Sequence, residues 1–252
     1  MNAASDLTDD AILSGRLRLF QQRRGHRFGH DAILLAAAVA AAPGEHAVEL
    51  GAGVGTAGLA LAHRVSGLRV TLTDIDPALV ALAKDNAARN GLADRVTVVV
   101  ADAGNAQALF NVGLGPGCAQ HVLMNPPFND PAASQSSTDP VRARAHTATS
   151  ETLTSWLATA ARLLENRGSV TLVWRGDGLA DVLPALAGFG GIVVMPVHPR
   201  ADAAAIRVLV RAAKGSRAAL RLLPGLVLND AQGRPTTAAE AVLRDAAPLP
   251  LA

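Results

Sequence analysis

The chain has 252 residues, half of them apolar, and a net charge of only +2. That suits one α/β domain with extensions and a sizeable core, while the longest apolar run, Ala32 to Ala42, is too short for a membrane span of about 20 residues. Cys118 is the single cysteine, which excludes a disulfide framework and a cysteine-rich zinc site. The amino terminus, with Asp6, Asp9 and Asp10, lacks the form of a signal peptide, so a cytosolic protein with no metal and no membrane partner is expected. The charge is uneven: Arg16, Arg18, Arg23, Arg24 and Arg27 fall in 15–30 with no acid, and 200–252 has eight basic residues against four acidic. Two basic ends suggest a polyanionic partner, although solvated arginines on an ordinary surface explain the count equally well.

The first patterned elements are a helix over 31–42 and an apolar strand over 46–50. Gly51-Ala52-Gly53-Val54-Gly55 follows the strand directly, and a helix over 55–65 opens from it. Missing side chains let a ligand approach this backbone closely, with helix amides nearby. A second register, Gly53-x-Gly55-x-x-Gly58, matches the dinucleotide fingerprint, so a nicotinamide-dependent enzyme has to be weighed. That register starts the turn two residues late and leaves Gly51 without a role. Glu49 instead completes an acid-x-Gly-x-Gly-x-Gly pattern.

A strand over 69–74 ends in Thr73-Asp74-Ile75-Asp76-Pro77. Asp76 before Pro77 reads as an N-cap followed by proline at the first position of a helix over 77–90. Asp74 is not needed for that start, and a carboxylate at the end of the second strand can accept both hydroxyls of a ribose. After a strand over 95–101, Asp102 with Ala103 can grip the amine of an adenine, though a plain cap for the helix at 105–110 explains Asp102 nearly as well.

The strand over 121–125 runs out in Asn125-Pro126-Pro127-Phe128. Two prolines fix φ and remove two amide donors, so the chain leaves the sheet as a stiff loop. The shape alone needs no function. However, the carboxyl ends of strands are where open α/β sheets bind ligands. There the Asn125 side-chain oxygen and the Pro126 carbonyl can both accept from one NH2 group, while Phe128 stacks on the ring that carries it. Residues 130–149, rich in Ser, Thr, Ala and Pro, form a loop of a length usually functional or disordered. A helix over 150–166, a strand over 168–174 and a helix over 178–188 follow. Strands over 191–197 and 205–212 are joined by too few residues for a crossover helix, so they pair antiparallel.

Alternating strands and helices imply a mostly parallel sheet with helices on both faces. Seven strands ending in an antiparallel last strand resemble the Rossmann-like sheet of class I methyltransferases and differ from the all-parallel nicotinamide-binding sheet. Together with the ordered acid-glycine turn, Asp74, Asp102 and Asn-Pro-Pro-Phe, this resembles an S-adenosylmethionine-dependent methyltransferase acting on a planar amine. Phe28-Gly29-His30-Asp31-Ala32-Ile33-Leu34-Leu35 resembles the Gly-Thr-Asp-Gly-Ile-Leu-Leu segment of the tRNA(Val) adenine-N(6)-methyltransferase family. Leu226 to Leu243 is similar to that family's terminal hairpin and helix.

The resemblance covers roughly 15–245. It implies S-adenosyl-L-methionine as cofactor, with Gly29 and Asp31 near its methionine end and Glu49, Gly51, Gly53, Asp74, Asp102 and Ala103 along the rest. It also implies Asn125, Pro126 and Phe128 at the acceptor, and RNA, most simply a tRNA, as partner. The expected organisation is a basic extension over 1–30, the methyltransferase domain over 31–214 and a hairpin and helix extension over 215–252. This chain departs from the family in three places: Phe128 stands for the commoner Tyr, His30 for Thr, and His146 for the second arginine of an Arg-x-x-Ala-Arg segment. Enzymes that methylate ribosomal RNA adenine or guanine, or a protein glutamine, share the Asn-Pro-Pro-aromatic run. A nicotinamide oxidoreductase and a non-catalytic RNA-binding module are the readings from other classes.

Overall fold

In the computed structural model, which describes residues 6–23, 29–127 and 150–252, the strands that carry the motifs form the middle of a single sheet. They are β3 (His46–Leu50), β4 (Arg69–Asp74), β5 (Val96–Val100), β6 (Ala119–Met124), β7 (Leu164–Arg175), β8 (Phe189–Arg200) and β9 (Arg207–Lys214). Their spatial order is β8-β9-β7-β6-β3-β4-β5. β3 to β7 run parallel, and β9 inserts antiparallel between β7 and β8. The expected hairpin is therefore present. The sheet has nine strands rather than seven, because β10 (Arg221–Leu222) and β11 (Leu226–Asn229) both add parallel to β8. Two- and four-residue strands flanking Pro224 and Gly225 are too short to show a period of two in sequence.

Both faces of the sheet are covered, which is why its strands read as apolar runs. Helices α1 (His30–Ala38), α2 (Thr56–Arg64) and α3 (Pro77–Arg89) share one core with Ala47, Leu72 and Leu123. Helices α4 (Ala106–Asn111), α5 (Ser150–Leu163) and α6 (Leu179–Ala185) enclose Val48, Leu50 and Met124 on the other face. Leu35, Leu59, Leu72 and Leu123 are fully buried, and each such side chain contributes roughly 1.5–3 kcal/mol. The last helix, α7 (Thr237–Asp245), packs on α1 and β11 and is capped by the Thr236 hydroxyl, which accepts from the Ala239 amide at 3.1 Å. Among the described residues no helix is long and apolar enough to cross a membrane.

The described part of the N-terminal extension forms an element absent from the sequence reading. β1 (Leu7–Ile12) and β2 (Leu17–Gln22) pair antiparallel around a tight turn, in which Leu13, Ser14 and Gly15 all have positive φ. Leu17, Leu19 and Gln21 are buried while Arg18 is exposed. The alternation is there in sequence, but the arginines around it give the segment the look of a solvated tail.

Candidate functional site

The register of the parallel strands decides what meets at their carboxyl ends. Leu50 pairs with Met124 on one side and with Thr73 on the other, and Asp74 pairs with Val100. One residue further on, Asn125, Gly51 and Asp74 stand in that order along one edge, on strands about 4.8 Å apart, and Asp102 follows two residues past Val100 on the next strand. Asn125 and Pro127 are partly exposed and Pro126 is buried.

The glycine turn takes its shape from φ values only glycine adopts freely. Gly51, Gly53 and Gly55 have φ of 67°, 56° and 88°. The Ala52 amide donates to the Thr73 carbonyl at 2.8 Å, and the Gly53 amide to Asp74 Oδ2 at 2.7 Å. A Cβ at Gly53 would meet nothing within 4 Å, so the space above this backbone is open to a ligand. Gly55 caps α2 without a side chain, and Glu49 supplies the missing acceptor, taking the Gly58 amide on Oε2 at 2.7 Å. Glu49 is 3% exposed. Burial, with the nearby Asp74 charge adding to it, pushes its carboxyl up to about 8 against the pull of the Gly58 amide. Glu49 thus supports the turn from beneath.

The third glycine of the dinucleotide register has a packing role that fits either reading of the turn. Gly58 lies inside α2, and a Cβ there would run into the Leu72 and Glu49 side chains, so this glycine serves helix-to-sheet packing and faces no ligand.

Asp74 is held from both sides: Oδ2 by Gly53 and Oδ1 by the Asp76 amide at 3.0 Å. Burial raises its pKa, and the two amides oppose that rise. Each carboxylate oxygen has a second lone pair, which leaves acceptor capacity for two hydroxyls. Ile75 beside it is 67% exposed, an apolar surface at the rim. Asp102 accepts the Gly104 amide on Oδ1 at 2.8 Å. The cap of α4 is Asn105, which accepts the Gln107 and Ala108 amides at 3.0 Å, so the helix start does not require Asp102. Ala103 is buried next to it.

Trp156, on α5, was not singled out by the sequence. Its indole packs against Gly51, where any Cβ would collide with it, and reaches to 3.9 Å from the Cβ position of Gly104. No motif marks it, because it belongs to an ordinary amphipathic helix.

Gly29 and Asp31 stand at the start of α1. The Asp31 carboxylate accepts from Arg207 Nε at 2.8 Å, in a depression of about 230 Å³ that also takes in His30, Leu34, Val197 and Leu228. Arg207 opens β9, three strands along from β3. The structure therefore groups Asn125, Gly51, Gly53, Asp74 and Asp102, and turns Asp31 toward another part of the same edge. Phe128 and His146 lie outside the described residues, as do Arg24 and Arg27. Within the basic ends, Arg16 pairs with Asp245, Arg18 with Asp9, Arg234 with Asp230 and Arg244 with Glu240. Three of these acids, Asp230, Glu240 and Asp245, are already in the count for 200–252, so the excess of eight basic over four acidic residues there stands.

The strand order, with one antiparallel strand inserted beside β7, is that of the class I methyltransferase fold. The chain belongs to the methyltransferase small domain family, whose model matches residues 27–177, and this is a family of S-adenosylmethionine-dependent enzymes. A solved Agrobacterium tumefaciens protein described as a predicted O-methyltransferase is 28% identical, with a TM-score of 0.73 over 87% of this chain and 98% of that one. A tRNA1(Val) (adenine(37)-N6)-methyltransferase of Dickeya chrysanthemi is 29% identical over 229 residues, 87% of either chain. One from Porphyromonas gingivalis is 29% identical over 160 residues, 62% of this chain, which spans 61% of that relative's length. The open space over Gly53, the left-handed glycines and the anchored Asp74 carboxylate fit the family's cofactor.

Proposed function

We propose that this protein methylates the exocyclic amine of a nucleobase in RNA, with N(6) of an adenine in a tRNA as the acceptor. The observation that carries the reading is the register of Leu50 with Met124, which sets the Asn125-Pro126 acceptor pair beside the glycine turn. The Dickeya and Porphyromonas relatives, named for adenine N6 of a tRNA, support the choice of acceptor.

S-adenosylmethionine, when bound, supplies a methyl group on an electron-poor sulfur. Gly51 and Gly53 admit its close approach to the backbone, Asp74 accepts ribose hydroxyls, and Asp102 with Ala103 lies where an adenine amine is read. An aromatic amine is a poor nucleophile because its lone pair is delocalised into the ring. Asn125 Oδ1 and the Pro126 carbonyl each accept one of the amine hydrogens, which draws the nitrogen out of conjugation and aims its lone pair. As positive charge develops on that nitrogen, the two oxygens are already oriented to meet it. Their contribution is positioning and electrostatic preorganisation; once nitrogen holds the methyl its surplus proton is strongly acidic and passes to solvent, so the reaction needs no dedicated general base. A base within folded RNA must be splayed out to reach them.

The test is transfer of label from S-adenosylmethionine into total RNA from a strain lacking this gene, followed by nucleoside analysis of each RNA fraction. Label in N(6)-methyladenosine of the tRNA fraction supports the proposal. Label confined to ribosomal RNA, or none in RNA and some in a protein glutamine, replaces the acceptor.

A further inference from the structure

Asn86 is a fully buried asparagine on α3. Its Nδ2 donates to the carbonyl of Val54 at 3.1 Å and to the carbonyl of Phe20 at 3.0 Å, and its Oδ1 accepts the Phe20 amide at 2.7 Å. Both amide hydrogens and the oxygen are used. The orientation is fixed, because two carbonyls face the NH2 group and an N–H faces the oxygen.

One helical turn later Asn90 repeats half of this pattern. Its Oδ1 accepts the Arg18 amide at 2.9 Å, and its Nδ2 donates to the Arg18 carbonyl at 2.8 Å and to the backbone carbonyl of Asn86 at 2.7 Å. Residues four apart on a helix share a face, and residues two apart on a strand share an edge. The two asparagines thus occupy the free edge of β2 as a neighbouring strand would. Only Asn86 also reaches Val54, which lies between Gly53 and Gly55.

We infer that Asn86 is a positioning residue for the cofactor turn and couples the N-terminal hairpin to it. The inference rests on the proposed use of this turn for S-adenosylmethionine. The peptide that carries the Val54 carbonyl is held on its amide side, where Gly55 donates to the Ala52 carbonyl at 2.9 Å, and on its carbonyl side no side chain of the turn itself restrains it between two glycines. Asn86 supplies the second anchor of that peptide, so the Gly53 amide meets Asp74 without reorganisation on binding. Because the same NH2 group also holds Phe20, releasing the hairpin at Phe20 loosens the turn, whereas releasing it at Arg18 leaves the Asn86 bonds in place, and filling the site steadies the hairpin at Phe20.

Asn90 provides the control. Asn86→Ala and Asn90→Ala both weaken the hairpin's attachment, and only the first releases Val54. With S-adenosylhomocysteine as the probe in titration calorimetry, Asn86→Ala is expected to bind about tenfold more weakly. Asn90→Ala is expected to melt at a lower temperature and bind within twofold of the parent. Equal affinities for all three proteins, with both variants less stable, would overturn the inference and leave Asn86 as a purely structural group. A parent that fails to bind the probe overturns the methyltransferase reading and this inference with it. Should Asn86→Ala not fold, the parent alone decides by amide hydrogen exchange: saturating S-adenosylhomocysteine must slow exchange at Phe20, and an unchanged rate there overturns the coupling.

Discussion

Met124 and Leu50 pair across adjacent parallel strands, so Asn125 and Gly51 leave the sheet side by side. An acceptor group and a cofactor turn set this close are useful only if each does a separate task. Asn125→Ala removes one of two oxygens that meet the developing charge and leaves the turn intact. We expect turnover to fall by about 10²–10³, the cost of losing one preorganised hydrogen-bonding group in a transition state, with S-adenosylhomocysteine affinity unchanged. Single-turnover kinetics beside calorimetry separates the two, and a parallel loss of both would show that Asn125 supports the fold instead.

Asp74 is anchored to the turn through Gly53 and to the following helix start through Asp76. Asp74→Ala strips an acceptor from two amides as well as from the ligand's hydroxyls. Hydrogen bonds to a charged group are worth about 1.5–3 kcal/mol each, so cofactor affinity should drop by about two orders of magnitude. Asp74→Asn keeps one oxygen and should lose less. Calorimetric affinities that match the parent in both variants would remove Asp74 from the cofactor site.

The parts of this site that sequence made legible are those with a backbone reason. Gly51 and Gly53 are readable because no other residue takes their φ cheaply, Asp76 because an N-cap before proline has one common use, and Asn125-Pro126-Pro127 because prolines end a strand. What stayed hidden depends on tertiary approach. Trp156 is placed by the packing of α5 under the turn, and Asn86 by the docking of a hairpin whose arginines hid its alternation. The turning of Asp31 toward Arg207, 176 positions away, has no local signature at all. The partners of Arg16 and Arg18 are hidden for a related reason, since Asp245 and Asp9 meet them only in the fold.

The contact of Trp156 with Gly51 makes the cofactor site report on itself. The chain has two tryptophans, and Trp174 is buried on β7 with 4% exposure, two strands from the strand that leads into the turn. Binding of S-adenosylhomocysteine should therefore change the emission of Trp156 alone. In Trp156→Phe the change should vanish while calorimetry still registers binding. A spectral change that survives in this variant would place the ligand next to Trp174 and away from the glycine turn.

Glu49 gives a prediction about stability rather than turnover. Its carboxyl titrates near 8 in the fold and at about 4.3 in an unfolded chain, so between these values the native state holds a proton that the unfolded state has released. The stability tied to this group is complete below the lower value and is lost as pH rises through the upper one. Glu49→Gln keeps an oxygen for the Gly58 amide and removes the titration. Without cofactor, the melting temperature of the variant minus that of the parent should grow steadily from about pH 5 to pH 8 and then level off, since every other group titrates alike in both proteins. Melting curves whose difference stays flat across that range would mean that Glu49 is ionised in the fold, with the amides at the start of α2 outweighing its burial.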